Sequence, residues 1–287
     1  MGRCCYYHAG CPDGFGAAWA VRNAWGEAAS YVSRNHDDRL ERGAHEGDEV
    51  AFVDIAPSNL ELVNLCDETS MLHIVDHHVT ARDRIEGDPE IASRLRATRH
   101  SVHFDLDASG AALAWRYWNP GQELPDLLGY VEDQDLWRFK LPDSREVNAA
   151  IASYPMRFST WDRLANTDPE RLAEEGRPIV HAQRLAVERA VATAHVVRVG
   201  EHRIEAVAAN TLRPWIGHEL ATRAAHGVPC GIVYNADTKR VDVSIYSVGG
   251  FNVAELAAAR GGGGHRSASG FSVPLDEWRS EYLRSSA

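Results

Sequence analysis

The sequence predicts an α/β protein: an N-terminal domain built on a parallel sheet, followed by a smaller α+β domain. Two observations carry this. Over the first half, short apolar runs alternate with stretches of helical period, the pattern of βαβ units. After about residue 195 the pattern changes to paired alternating strands around turns. A third observation concerns function: three of the N-terminal apolar runs end in histidines and aspartates, and an open parallel sheet binds ligands beyond the carboxyl ends of its strands.

The elements follow in order. "RCCYYH" (3–8) reads as a strand and "DGFGAAWAVRNAWG" (13–26) as a helix closed by Gly26. "AASYVSRN" (28–35) is a second strand and "EVAFVDIAP" (49–57) a third, stopped by Pro57. "SNLELVNLCD" (58–67) is a helix with Ser58 or Asn59 as N-cap. "MLHIVDHH" (71–78) is a strand, "SVHFDL" (101–106) another, and "DASGAALAWRYWN" (107–119) a helix opened by Asp107 or Ser109. Residues 169–195 are charged and helical in period, with a break expected at Gly176-Arg177-Pro178; they read as a connector. Strands follow at 195–210, then a hairpin at 230–248 turning at 235–238, then a helix at 252–264 that runs into four glycines. The expected domains are therefore 1–168, a connector 169–195, and 196–287.

Composition excludes several classes. The 287 residues are 44% hydrophobic and 25% charged, as in a globular protein. No apolar run spans a bilayer, and the first ten residues lack an apolar core and cleavage site, so the expectation is a cytoplasmic protein without a membrane partner. The five cysteines include no CxxC pair and read as reduced thiols. A net charge of −11 argues against coating long duplex nucleic acid, but a small anionic substrate remains compatible where bound cations reverse the local field.

The chemistry-bearing residues cluster at the strand ends. The first end offers His8 and Asp13, the second Asp54, the third Asp76, His77 and His78; the acidic stretch "EDQDLW" (132–137) adds Asp133 and Asp135. Taken singly, a strand-end aspartate is as often a helix cap, and a histidine is usually a satisfied polar group. Together, so many carboxylates in one crevice would repel each other unless cations were present. Mixed imidazole and carboxylate donors suit Mn²⁺, Fe²⁺, Co²⁺ or Zn²⁺, and about six ligands suit two ions, the arrangement used for in-line displacement at phosphorus. Farther on, "GGGGHRSASGF" (261–271) places Gly261, Gly262, Gly263 and Gly264 before His265 and Arg266. Successive amides in such a loop can cradle an anion, with the two side chains as further donors.

These stretches resemble the DHH phosphoesterase superfamily over nearly the whole chain. "YHAGCPDGFGAA", "FVDIAP", "VDHHV" and "DQDLWRF" resemble its four motifs in order, and "GGGGHRSASGF" the glycine-rich signature of its associated C-terminal domain. The resemblance implies a five-stranded parallel sheet with a dinuclear site, most often Mn²⁺ (Mg²⁺ and Co²⁺ also fit), and a C-terminal domain that binds substrate. Carried over by motif, His8, Asp13 and His77 are metal ligands and Asp54 bridges the two ions. Asp76 orients its neighbours and His78 faces the phosphoryl group. In the fourth motif Asp135 is favoured and Asp133 is its near competitor. Gly261, Gly262, Gly263, Gly264, His265 and Arg266 contact substrate.

Three departures stand out. The first motif keeps one aspartate, Asp13, with Gly10 and Cys11 where another carboxylate is common. "SIYS" (244–247) has Tyr246 where an arginine is common, a ring able to stack on a base. The loop reads Gly-His-Arg for Gly-His-Pro, so that Arg266 can supply the missing cation. The implied function is two-metal hydrolysis of phosphoester bonds in short oligonucleotides or dinucleotides. The alternatives are a phosphatase acting on polyphosphate or a phosphomonoester such as phosphoadenosine phosphate, and a degenerate nucleotide-binding module. A homodimer is compatible with the sequence.

Overall fold

The structure is a computed structural model that describes residues 2–97 and 100–283. Its first five strands form one sheet: β1 (Arg3–His8), β2 (Ser30–Arg34), β3 (Glu49–Val53), β4 (Met71–Asp76) and β5 (Ser101–Phe104), in the order β2-β1-β3-β4-β5 and parallel throughout. The residues explain why both faces are covered. Along β1, Cys5 faces one core while Cys4 and Tyr6 face the other; along β3, Ala51 and Val53 oppose Val50 and Phe52; along β4, Val75 opposes Leu72 and Ile74. A strand apolar on both faces can lie only between two helical layers.

The first layer holds α1 (Pro12–Trp25) and α5 (Gly110–Trp118), with α6 (Asp126–Asp135), α7 (Ser144–Ser153) and α8 (Phe158–Leu164) outside them; the second holds α2 (Asn59–Glu68), α3 (Val79–Glu86) and α4 (Pro89–Ala97). The sequence pattern leaves α3, α4, α6, α7 and α8 unassigned. In α3 only Ile85 is buried, and Gly129 interrupts α6, so their apolar spacing is weak. The long helix α9 (Pro169–Val191) corrects the expected break: it runs through Pro178. Gly176 serves a different purpose, since a side chain there would collide with the Glu146 carbonyl of α7.

The chain divides into two compact units, Met1–Val180 and His181–Ala287, with the boundary inside the segment read as a connector. The second unit has a six-stranded sheet formed by β6 (His195–Val199), β7 (His202–Ala208), β8 (Cys230–Ala236), β9 (Arg240–Ser247), β10 (Gly263–Gly264) and β11 (Ala268–Pro274), ordered β10-β11-β9-β8-β7-β6. Only β7 and β8 pair in parallel, joined through α10 (Arg213–Arg223); α11 (Val253–Ala258) precedes β10. No helix among the described residues is long and apolar enough to cross a membrane.

One buried ion pair ties the N-terminal unit together. Arg34, at the end of β2, places Nη2 2.6 Å from Glu61 Oε1, and both side chains are buried. Glu61 also accepts from the amides of Leu40 and Ser58, and Ser58 caps α2 in return. Burial raises the Glu61 carboxyl, but Arg34 and these amides outweigh it and hold the group at about 2. Glu61→Ala would strand Arg34 in the interior and is expected to destabilise by about 3–5 kcal/mol, measured by denaturant unfolding. The folded-state pKa lies below the unfolded one. The pair's contribution is therefore complete above about pH 4.5 and is lost as pH falls toward 2, so the wild-type excess over the variant shrinks through that window.

Candidate metal centre

The ends of β1, β3 and β4 lie side by side in the sheet order, so His8, Asp54 and Asp76 emerge at one edge. Asp54 follows β3 at once. Its amide bonds to the Val75 carbonyl of β4, and its backbone takes a left-handed conformation with φ of 56°. For a non-glycine residue this costs about 1–3 kcal/mol, of which Asp and Asn bear the least. It brings the carboxylate into contact with three neighbours. His77 Nε2 lies 3.0 Å from Oδ1; His8 Nδ1 and Cys11 Sγ each lie 3.5 Å from Oδ2. Gly110 leaves room for this: a Cβ there would sit 2.5 Å from Asp54 Cβ.

Asp13 comes from the first turn of α1. Its two oxygens accept from the amides of Gly110 and Ala111, at 2.7 and 2.9 Å, so it caps α5 across the domain. Its Oδ2 also lies 3.5 Å from His77 Nε2. Asp135, at the end of α6, places Oδ2 3.7 Å from the same nitrogen. Asp76 Oδ1 accepts from the amides of His77 and His78 and pairs with His78 Nδ1 at 2.7 Å.

The structure thus gathers His8, Asp13, Asp54, Asp76, His77, His78 and Asp135. It does not gather Asp133, whose oxygens accept from the amides of Lys140 and Leu141 at 2.9 and 3.1 Å. Burial raises its carboxyl, but the Lys140 amide, the Ser144 hydroxyl and the Leu141 amide outweigh it and keep the group below the ordinary value. Two aspartates two positions apart on a helix point to different sides, about 200° apart, so only one can face the cluster. Two contributors escape a reading of the sequence. The α5 amides that hold Asp13 follow no residue pattern. His36, in the loop after β2, has its ring 5.2 Å from that of His8 and 6.3 Å from that of His78.

The electrostatics ask for cations. Burial and the charges of Asp135 and Asp54 push the Asp13 carboxyl well above its usual range. Asp135 sits at the rim with 30% of its side chain reached by solvent. Even so, loss of hydration and the charge of Asp54, opposed by His77, lift it to about 6. Burial disfavours ionising Asp54, yet hydrogen bonds from His77 and His8 hold its carboxyl far below the ordinary value. Burial likewise disfavours charge on His77, but Asp54, Asp13 and Asp135 raise it to about 10. Asp76 Oδ2 is buried with no hydrogen-bond partner among the described residues. Within the N-terminal unit, donors of ligand type lie within 4.8 Å of one another in three overlapping groups, His8-Cys11-Asp54, Asp13-His77-Asp135 and Asp54-Asp76-His77-His78. The donor set fits divalent metal ions.

In the C-terminal unit the glycine run has a structural role. The Gly262 amide bonds to the Ala257 carbonyl and the Gly261 amide to that of Ala258, both at 3.0 Å, with Gly261 at φ of 73°. This is a Schellman closure of α11. Gly263 and Gly264 then form β10, and the His265 amide closes a turn on the Ala268 carbonyl. The amides of Gly261, Gly262 and His265 are thus engaged within the fold, which corrects the expectation of an anion cradle made from successive free amides. Arg266 is exposed; its guanidinium donates to the Gly250 carbonyl at 3.4 Å, and its own carbonyl accepts from the Val253 amide at 2.9 Å. Tyr246 is half-buried and its ring covers Gly217 of α10, where any side chain would collide with it; the ring is packed against the protein.

No family model matches the chain. A curated relative, the uncharacterized protein R106 of Acanthamoeba polyphaga mimivirus, is 24% identical over 288 residues that take in 92% of the chain; the chain spans 66% of that relative's length. Among solved structures, the DHH domain of a protein assigned to a family of ribosomal proteins aligns with a TM-score of 0.62 at 16% identity, covering 97% of this chain and 84% of that one. A pGpG-specific phosphodiesterase, PggH, from Vibrio cholerae aligns with a TM-score of 0.48 at 11% identity, covering 97% and 95%, a likeness too distant to bear on activity. The chain has the fold of a DHH domain.

Because Gly110 touches Asp54 and its amide holds Asp13, Gly110→Ala is expected to disturb both carboxylates. Overpacking of this kind costs about 1–3 kcal/mol. Thermal unfolding with and without Mn²⁺ should show a lower midpoint and a smaller upward shift on adding metal than in the wild type.

Proposed function

We propose that this protein is a metal-dependent phosphoesterase that hydrolyses phosphoester bonds of short oligonucleotides or dinucleotides. The observation that carries the reading is the position of Asp54, strained in its backbone and in contact with His8, Cys11 and His77 at once, with Asp13 and Asp135 on the far side of His77. His8 and Asp54 would hold one ion, and Asp13, His77 and Asp135 a second. Mn²⁺ is the first choice, with Mg²⁺ and Co²⁺ also compatible. When bound, such ions lower the pKa of a coordinated water toward 7 and neutralise the phosphoryl oxygens.

The remaining steps belong to the chain's own residues. Asp76 stays ionised because His78 offsets the effect of burial, and it fixes the proton of His78 at Nδ1. Burial disfavours charge on His78, but Asp76 outweighs it and raises the imidazole above its ordinary value. His78 is then placed as a hydrogen-bond donor able to stabilise charge on a phosphoryl oxygen. The net charge of −11 favours short substrates, since a long duplex needs many cationic contacts. For the C-terminal unit, Arg266 is proposed to bind the substrate phosphates. Arg266→Ala is expected to raise KM for an oligonucleotide with little change in kcat.

A second reading, a phosphatase acting on polyphosphate or on a phosphomonoester such as phosphoadenosine phosphate, has one observation on its side. The Tyr246 ring lies against Gly217, which leaves less of it open as a platform for a base. The deciding experiment is a time course with Mn²⁺ on a 5′-labelled RNA pentamer, a linear dinucleotide, polyphosphate and phosphoadenosine phosphate, with Asp54→Ala as control. Shortening of the pentamer or cleavage of the dinucleotide, abolished by chelator and restored by Mn²⁺, is expected. Phosphate release from the last two alone selects the phosphatase. Full activity in excess chelator, with the metal shown to be gone, overturns both readings. Silence on every substrate in a metal-loaded protein leaves a nucleotide-binding module.

A further inference from the structure

Of the five cysteines, four lie in the apolar cores and belong to no ligand group among the described residues. Cys11 differs. Its Sγ lies 3.5 Å from His8 Nδ1 and 3.5 Å from Asp54 Oδ2, and these two atoms are themselves 3.5 Å apart. The three donors form an equilateral triangle. An ion bound tetrahedrally at about 2.0–2.3 Å holds its ligands about 3.3–3.8 Å apart, so this triangle is one face of such a site.

We propose that Cys11 is a metal ligand. With His8 and Asp54 it would form a nitrogen–sulfur–oxygen position that prefers a softer ion, such as Zn²⁺ or Co²⁺, while Asp13, His77 and Asp135 form a harder one. The two positions would then differ in metal preference. The proposal rests on the metal-centre reading above and adds a residue to it.

The local backbone supports a charged sulfur. Cys11 is the N-cap of α1, and its Sγ accepts from the Gly14 amide at 3.2 Å. A helix N-terminus favours the thiolate. In the metal-free arrangement the sulfur donates to Asp54 Oδ2 at 3.5 Å. On ligation the S–H bond breaks, a metal–sulfur bond forms and the proton passes to solvent. In the adjoining group that shares Asp54, Asp76 also contributes a carboxylate, and its Oδ2 is buried without a hydrogen-bond partner among the described residues.

The test loads the full chain with Co²⁺ and reads metal content beside the near-ultraviolet absorption of sulfur-to-cobalt charge transfer. The wild type should show the band, and Cys11→Ser should lose it. Serine keeps the helix cap, so the fold is expected to survive. The Zn²⁺ affinity of Cys11→Ser should fall by at least the about 10–100-fold that accompanies loss of an outer-sphere partner, with Mn²⁺ at the harder position little changed. A wild-type protein that holds Co²⁺ without the band, or a band that persists in Cys11→Ser, overturns the role of Cys11 and leaves the metal centre standing. A wild-type protein that holds no metal overturns both. X-ray absorption of the Zn²⁺-loaded wild type needs no variant: a sulfur neighbour at about 2.3 Å is expected, and nitrogen and oxygen neighbours alone would refute the proposal.

Discussion

The contact between Asp54 and His77 is the constraint on which the site depends. It joins the ends of two adjacent strands, β3 and β4, and requires Asp54 to leave its strand in a left-handed turn. That turn is accessible to Asp at modest cost, and it swings the carboxylate back over the sheet edge toward His8 and Cys11. Gly110 accommodates the turn from the far side, and the amides of Gly110 and Ala111 in turn fix Asp13. Strain, close packing and hydrogen bonding at this point serve one arrangement of ligand-type side chains.

The sheet explains why the arrangement sits where it does. Strands β1, β3 and β4 are apolar on both faces and covered by helices on each, so neither face can host a cluster of carboxylates. Within the strands a polar side chain such as His73 is buried only with partners, Tyr117 and Glu49, whereas the acidic cluster gathers where the strands end. Parallel order then brings those ends to one edge, and the loops that follow begin α1 and α3 beside them. The excess of buried negative charge follows from the same crowding. Burial together with that charge raises Asp13 and Asp135, and the neighbouring carboxylates raise His77 against its burial, a balance that divalent ions would relieve.

The C-terminal unit shows a residue pattern with two uses. Four glycines before a basic pair suggest an anion cradle, and the structure uses two of them to close α11 and two to form an edge strand. Both uses draw on glycine's freedom at positive φ and on close backbone approach, so sequence alone cannot separate them. The expected break at Gly176-Arg177-Pro178 failed for a related reason: Gly176 lets α9 approach the Glu146 carbonyl, and the helix continues.

Much of the N-terminal unit was legible because its signals are local. Short apolar runs marked β1, β3 and β4, capping residues marked α2 and α5, and His8, Asp54, Asp76, His77 and His78 stood at strand ends in plain view. Helices α3 and α6 were not legible, since α3 buries only Ile85 and Gly129 interrupts α6, so tertiary packing sustains them; α7 was passed over although Val147, Ala150 and Ile151 recur at helical spacing. By itself the sequence determined which residues of ligand type lie near strand ends, and therefore at which edge of the sheet they gather. Only the tertiary structure decided which of them meet. It turned Asp135 toward His77 and Asp133 toward the backbone of Lys140 and Leu141, drew Cys11 into the triangle with His8 and Asp54, and placed the start of α5 against Asp13. The physical reason is that the contacts of Cys11 with Asp54 and of Asp13 with Gly110 join segments 43 and 97 positions apart, and their geometry is set by how helices pack on the sheet rather than by any local spacing.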